Sequence, residues 1–303
     1  MHGRRLTILI ALFALSSVAA LAHAAAGTAK DTDRAAVATP KPLPFEPDEQ
    51  LIYEGEFSKL LLRGINIAQF TFTVERAQTT TAAQATGQKS ASAAPANLVF
   101  KADAVAKGWF RKLFGIDFHY NSESVVEPKS FLILANSTRD EQGKRLRTSE
   151  AVFDRTHNLL TWTQRNPNDP QSQPRVVKAP LQNASHDLIS AIYFLRTQAL
   201  EPGRNFELNI SDAGAVYRIP VKVGARKRMK TVVGRVQTVR VDIGIFGADR
   251  LVDRKGEMSL WITDDARRIP VRARLDTDIG TLDITLRKVS GGNNNNAASG
   301  TRR

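Results

Sequence analysis

The chain has 303 residues, 42% of them hydrophobic and 24% charged, a composition able to build a buried core. It contains no cysteine, which excludes disulfides, cysteine-ligated zinc, iron–sulfur clusters, a thiol nucleophile and a lipid-modified N-terminal cysteine. Its formal net charge is +13, which directs attention to anionic partners.

Residues 1–24 read as a secretory signal. Arg4 and Arg5 open it, an apolar run follows from Leu6 to Leu21, and Ala22-His23-Ala24 fits the small-x-small cleavage rule. No second apolar run of spanning length follows, so the expected location is the periplasm, soluble or peripheral to the envelope. Cleavage leaves 41 basic against 30 acidic residues. An exported chain does not meet nucleic acid, so none is expected as a partner. The basic excess suits peripheral contact with an anionic membrane surface, or only the solvated faces of strands.

Residues 25–48 are rich in Ala, Thr, Lys and Pro and read as a linker or extended arm. A single domain is expected over 49–289. It is interrupted at 77–96 by an Ala, Thr, Gln and Ser-rich insert read as a disordered loop, and a flexible tail covers 290–303. Within the domain, apolar and polar residues alternate with period two. Ala68, Phe70, Phe72 and Val74 share one face, while Ile65 and Ile67 sit on the opposite phase. That switch beside Gly64 predicts a bulge or bend. The same alternation runs through 206–210, 217–223, 239–243, 258–262, 269–275 and 282–286. Pro220 and Pro270 remove ladder donors, which predicts edge strands or strand starts there.

Two segments read as helices. Residues 187–198 carry Leu188, Ile189, Ile192, Tyr193, Phe194 and Leu195, with Ser185 or Asp187 to cap the start and Glu201-Pro202-Gly203 after the end. A helix this apolar must be largely buried, and the concave side of a curved sheet is its natural seat. A short second helix is predicted at 107–114. The expected fold is therefore mainly β: one large curved antiparallel sheet, or a half-open barrel or sandwich, with a buried apolar helix. A membrane-spanning barrel is disfavoured by the Gly/Asn-rich end and by only 7% aromatic residues.

Chemistry is sparse. His119, His157 and His186 are isolated, and there is no nucleophile elbow, phosphate loop or dinucleotide fingerprint, so no catalytic residue, metal or cofactor is assigned. Asp264 and Asp265 lie between two alternating strands, followed by Arg267 and Arg268. They read as a turn in which the arginines pair with the aspartates, or as an ion-binding hairpin. Arg196 suits the helix C-terminus and, if buried, needs a carboxylate; Asp264 or Asp265 is the candidate. Arg226, Lys227, Arg228 and Lys230 form the strongest basic cluster, expected in a hairpin loop between Val223 and Val232 and able to touch an anionic surface.

His186-Asp187 to Arg196, Leu200 to Gly203, Trp261 to Val271 and Ile279-Gly280 resemble the exported bacterial family called domain of unknown function 3108, as does Glu49 to Glu56 followed by Gly64 to Phe72. The resemblance covers most of 49–289 and implies an exported, mainly antiparallel β domain. It implies no activity and no cofactor. It singles out Asp187, Ile192, Tyr193, Arg196, Trp261, Asp264, Asp265, Arg267 and Arg268 as motif or ligand-lining candidates. Three functions fit: a non-catalytic envelope binding or assembly factor for a lipid or other apolar group, an envelope polysaccharide or peptidoglycan hydrolase using Asp264, Asp265 or His186, and a structural module engaging an envelope protein. A half-barrel over a helix is also the layout of periplasmic lipoprotein carriers, an analogy of fold only.

Overall fold

The computed structural model describes residues 42–60, 62–77, 96–107, 117–181 and 184–291. The expected signal, most of the arm, the insert apart from its two end residues, the 107–114 helix apart from Lys107, and nearly all of the tail lie outside these residues.

The chain forms strands β1 (Gln50–Lys59), β2 (Leu62–Arg76), β3 (Leu98–Ala106), β4 (Phe118–Val126), β5 (Ile133–Gln142), β6 (Arg145–Asp154), β7 (Leu159–Arg165) and β8 (Arg175–Pro180). A two-residue strand β9 (Ser185–His186) leads into helix α1 (Leu188–Thr197). Strands β10 (Asn205–Asp212), β11 (Ala215–Thr231), β12 (Gly234–Ile243), β13 (Gly256–Thr263), β14 (Pro270–Thr277) and β15 (Gly280–Ser290) follow. All 15 described strands join one sheet in the order β8-β7-β6-β5-β4-β3-β2-β1-β15-β14-β13-β12-β11-β10-β9. It is antiparallel throughout except for the short β9–β10 pair. Two meanders thus meet at a seam where β1 pairs with β15, from Gln50↔Ser290 to Ser58↔Thr281.

The alternation seen in the sequence becomes the two faces of this sheet. Leu51, Tyr53 and Phe57 of β1 are buried on the concave face while their neighbours stay half-buried. The phase switch in β2 is a bulge: Gly55 pairs with Ala68 and Glu56 with Asn66, so Ile67 is the extra residue and both Ile67 and Ala68 are buried. Pro270 opens β14, as predicted. Pro220 does not lie in an edge strand. β11 is flanked by β10 and β12, and Pro220 is tolerated because the β12 ladder begins one residue later, at Val221↔Ile243, with the Pro220 carbonyl accepting from Gly244 N (2.9 Å).

The sheet curls until its ends approach. A Cβ added to Gly214, in the β10–β11 turn, would sit 2.7 Å from Val177 Cβ of β8 and 3.3 Å from Trp162 Cβ of β7. Helix α1 sits on the concave side. Ile189 and Tyr193 join the core of the N-terminal meander with Phe100, Ile133 and Leu160, whereas Ala191 and Leu195 join that of the C-terminal meander with Ile219, Val241 and Ile262. The arm contributes as well: Phe45 is buried edge-on against Phe100 (5.5 Å) and Tyr193 (5.1 Å).

Candidate functional site

Helix α1 starts at Asp187, whose side chain accepts from Ser190 N (2.7 Å) while the Asp187 N–H donates to Ser190 Oγ (3.0 Å), a reciprocal capping box. The second Asp187 carboxylate oxygen accepts from Ser124 Oγ and from Asn136 Nδ2 (2.5 Å), which ties the helix start to β4 and β5. Burial raises the Asp187 pKa, and these donors oppose the shift.

The other end is fixed by charge. Arg196 is fully buried and forks onto Glu49, Nη1 to Oε1 at 2.5 Å and Nη2 to Oε2 at 2.9 Å. Its Nη2 also reaches the carbonyls of Pro44 (3.0 Å) and Arg267 (2.9 Å), and the guanidinium lies over the Phe45 ring at 5.1 Å. The carboxylate required by Arg196 is therefore Glu49, not Asp264 or Asp265.

Those two aspartates serve the β13–β14 turn and its surroundings. Asp265 Oδ1 accepts from the backbone N–H groups of Arg267 and Arg268, each at 3.0 Å, so the turn-forming role holds. The expected pairing with the arginine side chains does not form. The Arg268 guanidinium donates to Gln198 O (2.9 Å), and Asp264 takes Arg226 Nε (2.6 Å). Trp261 points to the convex side, between the guanidinium groups of Arg272 (5.3 Å) and Arg240 (5.9 Å). Of the motif candidates, Ile192, Tyr193 and Arg196 meet at one place, Asp187 anchors it, and Trp261 to Arg268 lie outside it.

That place is a cavity of about 150 Å³. This is about ten times what one buried water requires. Leu188, Ala191, Ile192 and Leu195 of α1 face Phe70, Leu282, Ile284, Leu275, Met258 and Leu260 of the sheet across it, with Leu208, Ile243 and Leu251 at the side. Phe72, Met258, Ala273 and Ile284 are only half-buried although they point inward from strands in the sheet interior, because the space above them is open. Polar groups in the wall are few and mostly occupied. Tyr53 Oη donates to Pro270 O (2.8 Å), and Arg196 is neutralised by Glu49. The Arg272 guanidinium turns to the convex side, where it holds Asp283 (2.5 Å). Tyr193 is stacked on Phe100 at 4.1 Å, and its hydroxyl has no hydrogen-bond partner among the described residues. Burial pushes the pKa of both Tyr53 and Tyr193 above the ordinary phenol range.

A smaller polar pocket of about 50 Å³ adjoins the helix start, with Tyr120, Ser122, Asn136, Thr138, Asp187 and Asp212 among its walls. Burial, and then Asp187, push the Asp212 carboxyl up to about 7, opposed by a hydrogen bond from the Ala213 backbone. His186 lies beside α1, stacked on Phe194 at 4.3 Å, with neither ring nitrogen partnered among the described residues. Burial, then Arg155, lower its pKa to about 4, so it sits in the core as neutral imidazole. His119 pairs with Asp103 (2.7 Å) and His157 with Asp154 (2.6 Å). Among the described residues no group of three His, Asp or Glu is placed to hold a metal ion, and no helix is long and apolar enough to cross a membrane.

Of the cavity wall, the sequence singled out only Ile192, Tyr193 and Arg196; the rest, Tyr53, Leu208, Leu251 and Met258 among it, were missed, as was the anchor Glu49. Leu208 and Met258 carried the alternation signal, but nothing in that signal says which inward residues stay uncovered.

Fold and site together define a β-barrel-like protein: a curled antiparallel sheet that encloses a capped helix and an apolar cavity. The chain belongs to the protein family of unknown function DUF3108, whose model matches residues 59–287. No curated protein matches it in sequence. In structure it is similar to a β-barrel-like protein of the domain of unknown function DUF1849 from Brucella abortus, with a TM-score of 0.53 and 10% identity over 82% of this chain and 98% of that one. A candidate lipoprotein from Parabacteroides distasonis also aligns, with a TM-score of 0.31 and 10% identity over 82% of this chain and 97% of the other.

Proposed function

We propose that this chain is a non-catalytic binding or assembly factor of the bacterial envelope that takes an apolar group, the acyl chain of a lipid or of an acylated protein, into the cavity beneath α1. The observation that carries the reading is the cavity: about 150 Å³ bounded almost wholly by hydrocarbon, in an interior that close packing would ordinarily fill. Water gains little there, because the walls offer few free polar partners. As it stands the space suits a short hydrocarbon segment, so a longer chain requires α1 to shift against the sheet. The signal-like N-terminus supports export of the chain. The hydrolase reading gains no support from Asp264 and Asp265, which are engaged by Arg226 and by the turn.

The test is native mass spectrometry of protein taken from its own envelope, with a fluorescent fatty-acid titration of wild type and Ala273→Phe. Ala273 is half-buried and lines the cavity, so the added ring occupies the space a ligand would need. The expected result is co-purified lipid and saturable binding in the wild type, and binding weakened about tenfold or more in the variant with its melting temperature kept. A wild type that carries no lipid and shows no saturation overturns the reading.

A further inference from the structure

The basic cluster does not sit in a loop as the sequence suggested. Residues 226–230 lie within β11, and the turn comes only at Thr231–Gly234. β10 pairs with β11 no further than Lys222, and β13 pairs with β12 no further than Thr238. The last backbone bonds to flanking segments are those of Val223 with Gly203 and Arg204 and of Asp264 N with Gln237 O; from there to the turn β11 and β12 pair only with each other, as a two-stranded ribbon offset by a register shift between Val223 and Arg226.

The ribbon's composition is one-sided. Residues 225–237 hold Arg226, Lys227, Arg228, Lys230 and Arg235 and no acidic residue. Arg226 is spoken for by Asp264. Lys227, Arg228, Lys230 and Arg235 are exposed and have no ion-pair partner among the described residues. Lys230 stands directly opposite Arg235, with Arg228 two residues along on the same face. Like charges in that register repel, so the free protein carries a repulsion that an anionic surface relieves. At the tip, Val233 turns back against the central core cluster while Val232 stays 54% exposed, one of the few large apolar side chains that do. Soluble polyanions satisfy the cations and leave this valine in water. A bilayer satisfies both, with head groups for the cations and the acyl boundary for the valine.

We infer that the β11–β12 ribbon is a membrane-docking finger, which takes anionic phospholipid head groups on Arg228, Lys230 and Arg235 and sets Val232 into the interface. This surface is independent of the cavity reading. The experiment is co-sedimentation of the full chain with phosphatidylcholine vesicles, with and without phosphatidylglycerol, at low and high salt. Wild type is expected on the phosphatidylglycerol vesicles at low salt and off them at high salt. The triple variant Arg228→Glu, Lys230→Glu, Arg235→Glu is expected to bind about tenfold weaker or worse. The variant Lys144→Glu, Lys178→Glu, which reverses exposed charges elsewhere, is expected to bind nearly as wild type. Val232→Ser is expected to weaken vesicle binding without changing elution from immobilised heparin. Equal loss in the triple and control variants assigns the binding to net charge and overturns the inference. Vesicle binding indifferent to Val232→Ser overturns it in favour of a soluble polyanion. Melting curves of each variant confirm that all are folded.

Discussion

Two ionisable residues, buried His186 and half-buried Asp212, flank α1 and titrate in opposite senses. The Asp212 carboxyl sits at about 7 in the folded protein against 3.8 for the free side chain. Between about pH 4 and pH 7 the unfolded chain has lost this proton and the native one still holds it, so stability falls as pH rises through the window. His186 sits at about 4 against 6.5, so it is neutral in the fold and protonated on unfolding across nearly the same window, and its contribution grows as pH rises. The two slopes oppose each other in the wild type. Asp212→Asn keeps an acceptor for the Ala213 N–H and removes only the falling slope. Urea midpoints taken from pH 4.5 to 7.5 are expected to rise more steeply with pH in this variant than in the wild type, and parallel curves exclude a raised Asp212. Neither residue was marked by the sequence for this behaviour. Asp212 is not singled out there and His186 reads as an isolated histidine, because burial, the chief cause of both shifts, belongs to the tertiary fold.

At the scale of elements, α1 is the piece most fully legible in advance. Its apolar residues surround the helix rather than forming one stripe, which dictates burial on several sides, and the structure seats it between two core clusters. Asp187 was a cap candidate by residue type and is the cap. The partner of Arg196 was not legible: Glu49 is 147 residues away, and no local pattern distinguishes it from the acids nearer the helix end. Breaking a buried pair by removing one partner strands the other charge, so Glu49→Gln is expected to cost about 3–5 kcal/mol in urea unfolding. The double variant Glu49→Gln, Arg196→Met removes the stranded charge and is expected to be the more stable of the two. A double variant weaker by the sum of the two single losses excludes direct coupling.

The whole molecule was readable as a curved antiparallel sheet over a helix because period-two alternation recurs at 65–75 and through most of 206–286. What remained hidden was how far the sheet curls, since curvature is the sum of many small twists and bulges, such as the one at Ile67. The near-closure is held at Gly214, whose φ of +83° is a left-handed conformation and whose missing side chain lets the β10–β11 turn rest on Val177 and Trp162. Gly214→Val meets both penalties, a strained backbone and a Cβ 2.7 Å from Val177. It is expected to lower stability by about 2 kcal/mol or more, read as a shifted urea midpoint. A midpoint within error of the wild type means that the sheet ends do not touch in solution.

The β1–β15 seam bears on how the chain reaches this fold. Each meander is assembled from hairpins, contacts between neighbours in sequence, and can begin to form as its strands emerge. The seam joins Gln50 to Ser290, so the central strand of the finished sheet keeps one edge unpaired until the last strand arrives. Helix α1 packs on both sides of that late junction. The cavity, walled by Leu51 and Phe70 on one side of the seam and by Leu275 and Leu282 on the other, is complete only once the seam is made.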